Sequence, residues 1–269
     1  MKKIALLVLL AFLLTGCVSR EPQNQPETQI LVREGAYTLS DGTRVDEWIT
    51  DVFENTVYKT ADGWELLWIP PRVDIANVGV VGLEGFQHLS ETAQKNVRAY
   101  YDENMPELDV PGLLEEAWQD CNTVTPEKGM FGLWWAHQDI FPVAYNETIM
   151  CFAAETSIVG SDNVARIERI HTIFRRDTGE VLEIWDLFTE PPEAAKAVLA
   201  HALAKGNNLK YDELRAALDG DNVVRLCQGG LEFYFPAGTL SWSEYDNYMD
   251  LDCDALEIWQ DWAITERIE

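Results

Sequence analysis

Short runs of alternating apolar and polar residues occupy the chain from residue 30 to residue 72. Two Asp-Gly pairs, Asp41-Gly42 and Asp62-Gly63, each separate two such runs. A period of two is typical of strands, and an Asp-Gly pair supplies the positive φ angles that a tight hairpin turn needs. The pattern therefore predicts a hairpin region over residues 30–72, which either extends a larger sheet or forms a small N-terminal subdomain.

Two segments with helical periodicity come next. Ser90 is a natural N-cap for the first and Pro106 ends it, while Asp109 precedes the apolar stripe of the second. A long β region then covers residues 131–185, with a turn at Asp177-Thr178-Gly179. Beyond it, the pattern predicts two further helices, an aromatic strand and a last short helix or strand.

The order of these elements indicates the fold class. Strands paired by hairpins, with helices that do not alternate strictly with them, are typical of an α+β fold. We therefore expect one α+β domain over residues 73–269, built on a mostly antiparallel sheet with helices packed on one face.

The first seventeen residues have the pattern of an export signal. Lys2 and Lys3 form a positive start, residues 4–14 are apolar, and the sequence Leu14-Thr15-Gly16-Cys17 follows. The apolar run is too short to span a bilayer. Its last residues resemble the lipobox of bacterial lipoproteins, in which the cysteine is acylated and becomes the new N-terminus.

This pattern predicts how the protein is held in the cell. We expect a lipoprotein signal peptide over residues 1–16, lipidation at Cys17, and a polar, flexible tether over residues 17–29. The membrane is then one partner of the protein, through the acylated cysteine. The domain is anchored to a bacterial cell membrane and faces outside the cytoplasm, while the choice between an inner and an outer membrane stays open.

Composition makes the chain strongly acidic. It has 46 Asp and Glu against 20 Lys and Arg, a formal net charge of −26. Such a surface repels nucleic acid, so we expect no nucleic-acid partner. It attracts a cationic protein or divalent cations, although solubility alone also explains it.

Four cysteines remain after the lipidated one, and outside the cytoplasm they are candidates for two disulfides. They are Cys121, Cys151, Cys227 and Cys253. Three connectivities are open, and the pairs Cys121–Cys151 and Cys227–Cys253 are favoured because shorter loops close at a lower entropic cost. No CxxC pair is present, which disfavours a zinc site.

Three elements in the second half carry a family resemblance. They are Asp177-Thr178-Gly179, Trp185-Asp186-Leu187-Phe188 and, after about forty residues of helix, Gly230-Leu231-Glu232-Phe233-Tyr234-Phe235-Pro236. Their order resembles the RsiV-type extracytoplasmic domain, the sensing module of an anti-sigma factor that is also appended to peptidoglycan deacetylases of the PdaC type. The resemblance covers residues 75 to 262.

The resemblance implies a binding or sensing role. The best-known member of the family senses lysozyme, a cationic enzyme, and the deacetylases keep their catalysis in a separate domain. This chain lacks the Gly-Gly-Ala-His-like element that the family has after its middle strand, and the Pro-Tyr and Gly that follow the aromatic strand, so its ligand is expected to be different. It also lacks the cytoplasmic sigma-binding segment and the membrane helix, so we do not expect an anti-sigma factor of that architecture.

Motifs of enzyme chemistry are missing from the sequence. It has no GxSxG, SxxK or HExxH, so we predict no catalytic residue, no metal and no cofactor. Asp250, Asp252, Asp254 and Asp261 match positions 1, 3, 5 and 12 of a calcium loop, but Ala255 stands where the loop needs glycine.

Aromatic residues are the remaining candidates for a ligand surface. Adjacent residues of a strand point to opposite faces, so at most one of Trp134 and Trp135 belongs to the core. The candidates are Trp134, Trp135, Trp242 and Tyr245, with Trp64 and Trp68 as further members of the group.

The sequence thus favours a lipid-anchored extracytoplasmic binding or sensing domain without catalytic activity. Its ligand is a protein, with a cationic one as an option, or a cell-wall glycan. The alternative is a cell-envelope hydrolase that uses a pair of carboxylates in a concave pocket.

Overall fold

The computed structural model describes residues 30–50, 53–123, 132–207, 209–252, 254 and 256–266, with side chains from residue 35 onwards. The predicted signal peptide, Cys17, the tether and Cys253 lie outside the described residues. Within the described part, no helix is long and apolar enough to cross a bilayer.

An eight-stranded main sheet forms the centre of the domain, with its strands in the order of the chain. Neighbouring strands are antiparallel except for β4 and β5, which run parallel. The strands are β1 (Ile30–Thr38), β2 (Arg44–Thr50), β3 (Thr56–Thr60), β4 (Glu65–Ile69), β5 (Trp134–Tyr145), β6 (Ile149–Val159), β7 (Ala165–Arg175) and β8 (Val181–Leu182).

The two predicted hairpins are strands β1 to β4 and continue the main sheet. Gly42 and Gly63 have φ angles of 89° and 93° at the two turns, where a residue without a Cβ is favoured. The parallel step from β4 to β5 requires a crossover connection, and two helices supply it. These are α1 (Glu91–Asn104) and α2 (Val110–Thr123).

Both predicted helix starts are confirmed. The Ser90 hydroxyl accepts a hydrogen bond from Ala93 N at 3.1 Å, and the Asp109 carboxylate accepts one from Gly112 N at 3.0 Å. Each bond satisfies an N–H group that has no partner within the helix.

The cap of α2 gives a first testable prediction. Asp109→Ala lowers the free energy of unfolding by about 1 kcal/mol, because a first-turn N–H loses its acceptor and the helix dipole loses a nearby anion. Urea denaturation measures the change. Glu107→Ala removes an equal charge two residues earlier and is the control, so an equal loss in both variants would contradict the capping role.

The C-terminal third forms a second layer of two helices and a small three-stranded sheet. The helices are α3 (Pro192–Asn207) and α4 (Tyr211–Ala217). The sheet has the order β11-β10-β9, with β9 (Val224–Cys227), β10 (Gly230–Phe235) and β11 (Asn247–Asp252). The sequence predicts β10 but not its two neighbours.

The α+β class and the mostly antiparallel sheet are confirmed, while the helices lie on both faces of the main sheet rather than on one. On β6, Met150 and Phe152 pack with α1, whereas Ile149 and Cys151 pack with α3 and α4. Consecutive residues of a strand point to opposite faces. The strand is therefore buried on both sides, which explains its nearly continuous apolar sequence.

A β-bulge in β5 changes which residues face which layer. The pairing of β5 with β6 shifts between Pro142 and Ala144. Ile140 packs with α1, but Ala144 packs with the C-terminal layer, although both have even numbers. An extra residue in one strand reverses the direction of the side chains beyond it.

The favoured disulfide pairing is wrong for its first pair. Cys121, Cys151 and Cys227 are free thiols, and Cys253 lies outside the described residues. Cys121 is on α2 at one face of the main sheet, while Cys151 points to the opposite face. A short loop in sequence does not bring two thiols together when a sheet separates them.

The segment from Asp177 to Phe188 joins the layers, as its turn residues indicate. Gly179 has a φ angle of 71°, and the Thr178 carbonyl oxygen accepts a hydrogen bond from Asn96 Nδ2 of α1 at 2.8 Å. After Leu182 the predicted strand ends early in a short 3-10 helix (Ile184–Leu187), capped by the bond from Glu183 N to the Asp186 carboxylate at 3.0 Å.

Candidate ligand-binding surfaces

A row of tryptophans crosses four strands of the main sheet, and we name it the tryptophan face. Trp48 on β2 pairs with Val57 on β3, which pairs with Trp68 on β4, which pairs with Trp135 on β5. Residues that are direct partners in neighbouring strands share one face of a sheet. The three indoles therefore lie on the same side, with Val57 between Trp48 and Trp68.

The tryptophan face is opposite to the face that carries α2. Leu67 and Trp134, the chain neighbours of Trp68 and Trp135, belong to the cluster that packs on α2. Trp135 is 37% exposed, whereas Val57 is 1% exposed. Helices α3 and α4 pack on this same side, but against β5 to β7, so they leave accessible indoles over a buried valine on β2 to β5.

Side-chain contacts hold two of the indoles in place: a hydrogen bond at Trp68 and a ring contact at Trp135. Trp68 Nε1 donates a hydrogen bond to the Glu65 carboxylate at 3.2 Å. The ring of Trp135 stacks on the ring of His137, with centroids 4.2 Å apart and an interplanar angle of 33°. Held rings lose less entropy on binding than free ones, so the face is arranged in advance for a flat ligand.

The predicted aromatic candidates divide among three places. Trp134 is 5% exposed and its Nε1 donates to the Asp120 carboxylate at 3.1 Å, so it is a core residue and not part of a ligand surface. Trp135 is on the tryptophan face. Trp242 and Tyr245 are 51% and 78% exposed in the loop between β10 and β11 of the small sheet.

Sequence reasoning overlooked Trp48. It lies in the run Val45-Asp46-Glu47-Trp48, where the buried Val45 marks one face and Trp48 belongs to the other. The alternation of apolar and polar residues in this run shows that Trp48 is on the face opposite to Val45. Only the register between strands shows that Trp48 is in line with Trp68.

A groove of about 480 Å³ lies at one end of the main sheet. The turn between β5 and β6 and the last described segment of the chain both line it. Carboxylates line it, which makes it the place where a catalytic pair is to be sought. The acidic residues that line it are Glu84, Glu147, Asp261 and Glu266.

Two polar side chains that line the groove, Arg176 and Asn146, already have partners within the protein. Arg176 forms a salt bridge with Glu84 at 2.6 Å and donates to the Asn146 carbonyl oxygen at 2.6 Å. The Asn146 amide in turn donates to the carbonyl oxygens of Trp262 and Ile264, at 3.0 and 2.8 Å. These bonds attach the C-terminal segment to the main sheet, so Arg176 and Asn146 stabilise the fold at the groove.

Neither surface has the arrangement of a metal site. Among the described residues, no group of three or more His, Cys, Asp or Glu side chains is placed to hold a metal ion. Asp250 and Asp252, which match a calcium loop in sequence, lie on strand β11. A strand directs them along one face of a sheet and does not wrap them around an ion.

Comparison with known proteins does not identify a family for this chain. No protein-family model matches the chain, and no curated protein matches it significantly. A solved DUF3298 family protein from Pseudomonas aeruginosa PAO1 is similar over 75% of this chain and 88% of its own, with 14% identity and a TM-score of 0.37. A solved DUF3298 family member from Bacteroides fragilis is similar over 89% of this chain and 96% of its own, with 11% identity and a TM-score of 0.38. The RsiV-type assignment therefore stays a prediction.

Proposed function

We propose that the protein is a lipid-anchored extracytoplasmic binding domain that holds a cell-wall glycan on its tryptophan face and does not cleave it. The observation that carries the proposal is the alignment of Trp48, Trp68 and Trp135 on one accessible side of the main sheet. Neighbouring strands are about 4.8 Å apart, so the row extends over about 15 Å. A row of this length accommodates an extended oligosaccharide better than a compact ligand.

The chemistry of the face supports a sugar. The C–H groups on one side of a pyranose ring pack on an indole, and the ring hydroxyls need hydrogen-bond partners beside it. Beside Trp68, the Glu65 carboxylate accepts a bond from Trp68 Nε1, pairs with Lys59, and has further acceptor capacity for a hydroxyl. Beside Trp135, the Asp139 carboxylate lies 3.5 Å from His137 Nε2 and is a second acceptor. Nucleobases also stack on aromatic rings, but their phosphates require a basic surface, and this chain has a net charge of −26.

The position at the cell envelope rests on the sequence. The lipobox at Cys17 and the polar tether support a position at the outer side of a membrane, where wall glycans are available. The RsiV-type resemblance supports the same location and a role in binding.

Titration of the full-length protein in detergent with the hexamer of β-1,4-linked N-acetylglucosamine tests the proposal. We expect binding that Trp135→Ala weakens about tenfold, because a stacked ring contributes on the order of 1 kcal/mol beyond its buried area. Trp68→Ala weakens it similarly. Tryptophan fluorescence and calorimetry give the affinities, and circular dichroism checks that both variants are folded.

Trp242→Ala is the matched control, because it removes an exposed indole from a different sheet. Equal weakening by this variant, or no binding of the wild type at millimolar hexamer, would contradict the proposal. Mass spectrometry of the sugar after incubation distinguishes the hydrolase alternative. Fragments that disappear with Glu147→Gln in the groove would overturn the non-catalytic function.

A further inference from the structure

The small sheet has two edges, and the described chain occupies one of them. At the β9 edge, the Leu226 carbonyl oxygen accepts a hydrogen bond from His171 Nδ1 at 3.1 Å, and Gln228 N donates to the Val143 carbonyl oxygen at 3.1 Å. At the other edge, β11 pairs with β10 and with no further described strand. Every second residue of β11 therefore directs its N–H and C=O groups away from the sheet.

The outward side chains of β11 are acidic and aromatic. Tyr248 and Asp250 are exposed on one face, and Asp250 lies directly across from Glu232 of β10. Arg225 pairs with Glu232 at 3.3 Å rather than with Asp250. Burial, together with the carboxylates of Glu232 and Asp250, raises the pKa of the Cys227 thiol to about 12. Two carboxylates, those of Glu232 and Asp250, stand against the single cation of Arg225, so the formal charge of this face is negative.

The other face of β11 is apolar. Met249 and Leu251 are half-buried and pack against the core cluster of the C-terminal layer. A strand added beside β11 would place one set of side chains next to Tyr248 and Asp250, and the alternate set next to Met249 and Leu251. A strand that pairs with this edge is therefore expected to alternate residues that complement the acidic face with apolar residues.

We infer that β11 is a docking edge for an extended segment of a protein partner in which basic residues alternate with apolar ones, and which adds to the small sheet as a fourth strand. Main-chain hydrogen bonds provide the attachment, and the acidic face selects the charge. A lysine or arginine opposite Asp250 forms a cross-strand ion pair, and Tyr248 offers its ring to a cation.

The charge of the edge also excludes a second copy of this chain. Two β11 strands side by side would place aspartates beside aspartates, and like charges across strands are destabilising. Natural proteins use charged side chains on edge strands for this purpose. The same residues that prevent self-pairing therefore favour a basic strand. Strand β11 belongs to the small sheet and the tryptophan face to the main sheet, so strand addition does not depend on glycan binding.

A synthetic ten-residue peptide of alternating lysine and valine tests the inference on the full-length protein in detergent. We expect it to bind at low salt and to slow hydrogen exchange in β11. Asp250→Lys weakens binding about tenfold or more, since an ion pair is replaced by a repulsion. The same variant gains affinity for a peptide of alternating glutamate and valine, which shows that it is folded.

Two controls separate strand addition from a general charge effect. Asp221→Lys makes an equal charge change at an exposed site before β9 and should leave the affinity within about twofold. A lysine–valine peptide with N-methyl groups on alternate residues keeps its charge but cannot pair on that edge, and it should not bind. Equal binding of the methylated peptide, or equal weakening by both charge reversals, would overturn the inference. Dimerisation of the protein that the peptide reverses would also overturn it, because β11 would then pair with a second copy.

Discussion

Gly179→Ala is expected to lower the free energy of unfolding by about 3 kcal/mol, because it combines backbone strain with an overpacked contact. Gly179 has a φ angle of 71°, which a residue with a Cβ adopts at a cost. A Cβ at this position would lie 2.8 Å from the Ala93 carbonyl oxygen and 2.9 Å from its Cα. Both atoms are backbone of α1, so the helix or the turn has to move.

Gly238→Ala separates the two causes. Gly238 has a similar φ angle of 78°, but no atom lies within 4 Å of the added Cβ. This variant therefore measures the backbone strain alone, which we expect to be about 1 kcal/mol. Urea denaturation of both variants gives the difference. If the two losses were equal, the close approach of the turn to α1 would contribute nothing.

His171 makes the stability of the domain depend on pH. The largest cause is burial of the imidazole between β7 and β9, and the charges of Arg225 and Arg169 act in the same direction. Together they lower its pKa from 6.5 to about 4, although the bond to the Leu226 carbonyl oxygen opposes this. Between these two pH values the unfolded chain binds a proton and the folded chain does not. The contribution of His171 is complete above pH 6.5 and is lost as the pH falls through 4.

We expect His171→Gln to reduce the pH dependence of unfolding. Between pH 7.5 and pH 5 the free energy of unfolding of the wild type should fall by about 2 kcal/mol more than that of the variant. The reason is that over most of this interval the imidazole is protonated in the unfolded chain and neutral in the folded one. Chemical denaturation at the two pH values measures it. The exposed His201 provides the control His201→Gln, which should keep the wild-type dependence. An unchanged pH dependence in His171→Gln would show that the imidazole is protonated equally in both states.

Local signals in the sequence explain why much of the first half was predictable. The Asp-Gly turns and the caps at Ser90 and Asp109 depend on side chains that act within a few residues of themselves. The turn at Gly179 and the cap at Asp186 are of the same kind. For such elements the relevant hydrogen bonds are short in sequence, so the pattern of residues is sufficient.

Other elements form because distant parts of the chain meet. Strand β9 is four residues long, and its outer edge is completed by His171 and Val143 of the main sheet. The acidic sequence of β11 is typical of a loop, and it becomes a strand by pairing with the aromatic β10. No local pattern contains these partners.

The sequence by itself determined the α+β class, the turns and the caps. The export signal and the lack of a nucleic-acid partner, which follows from the acidic charge, stay predictions. The tertiary structure alone decided which side of the sheet each residue occupies. The bulge in β5 reverses its side chains, the sheet separates Cys121 from Cys151, and the register aligns Trp48 with Trp68 and Trp135. The physical reason is that a strand fixes only the alternation of its own residues, whereas the register between strands depends on packing across the whole sheet.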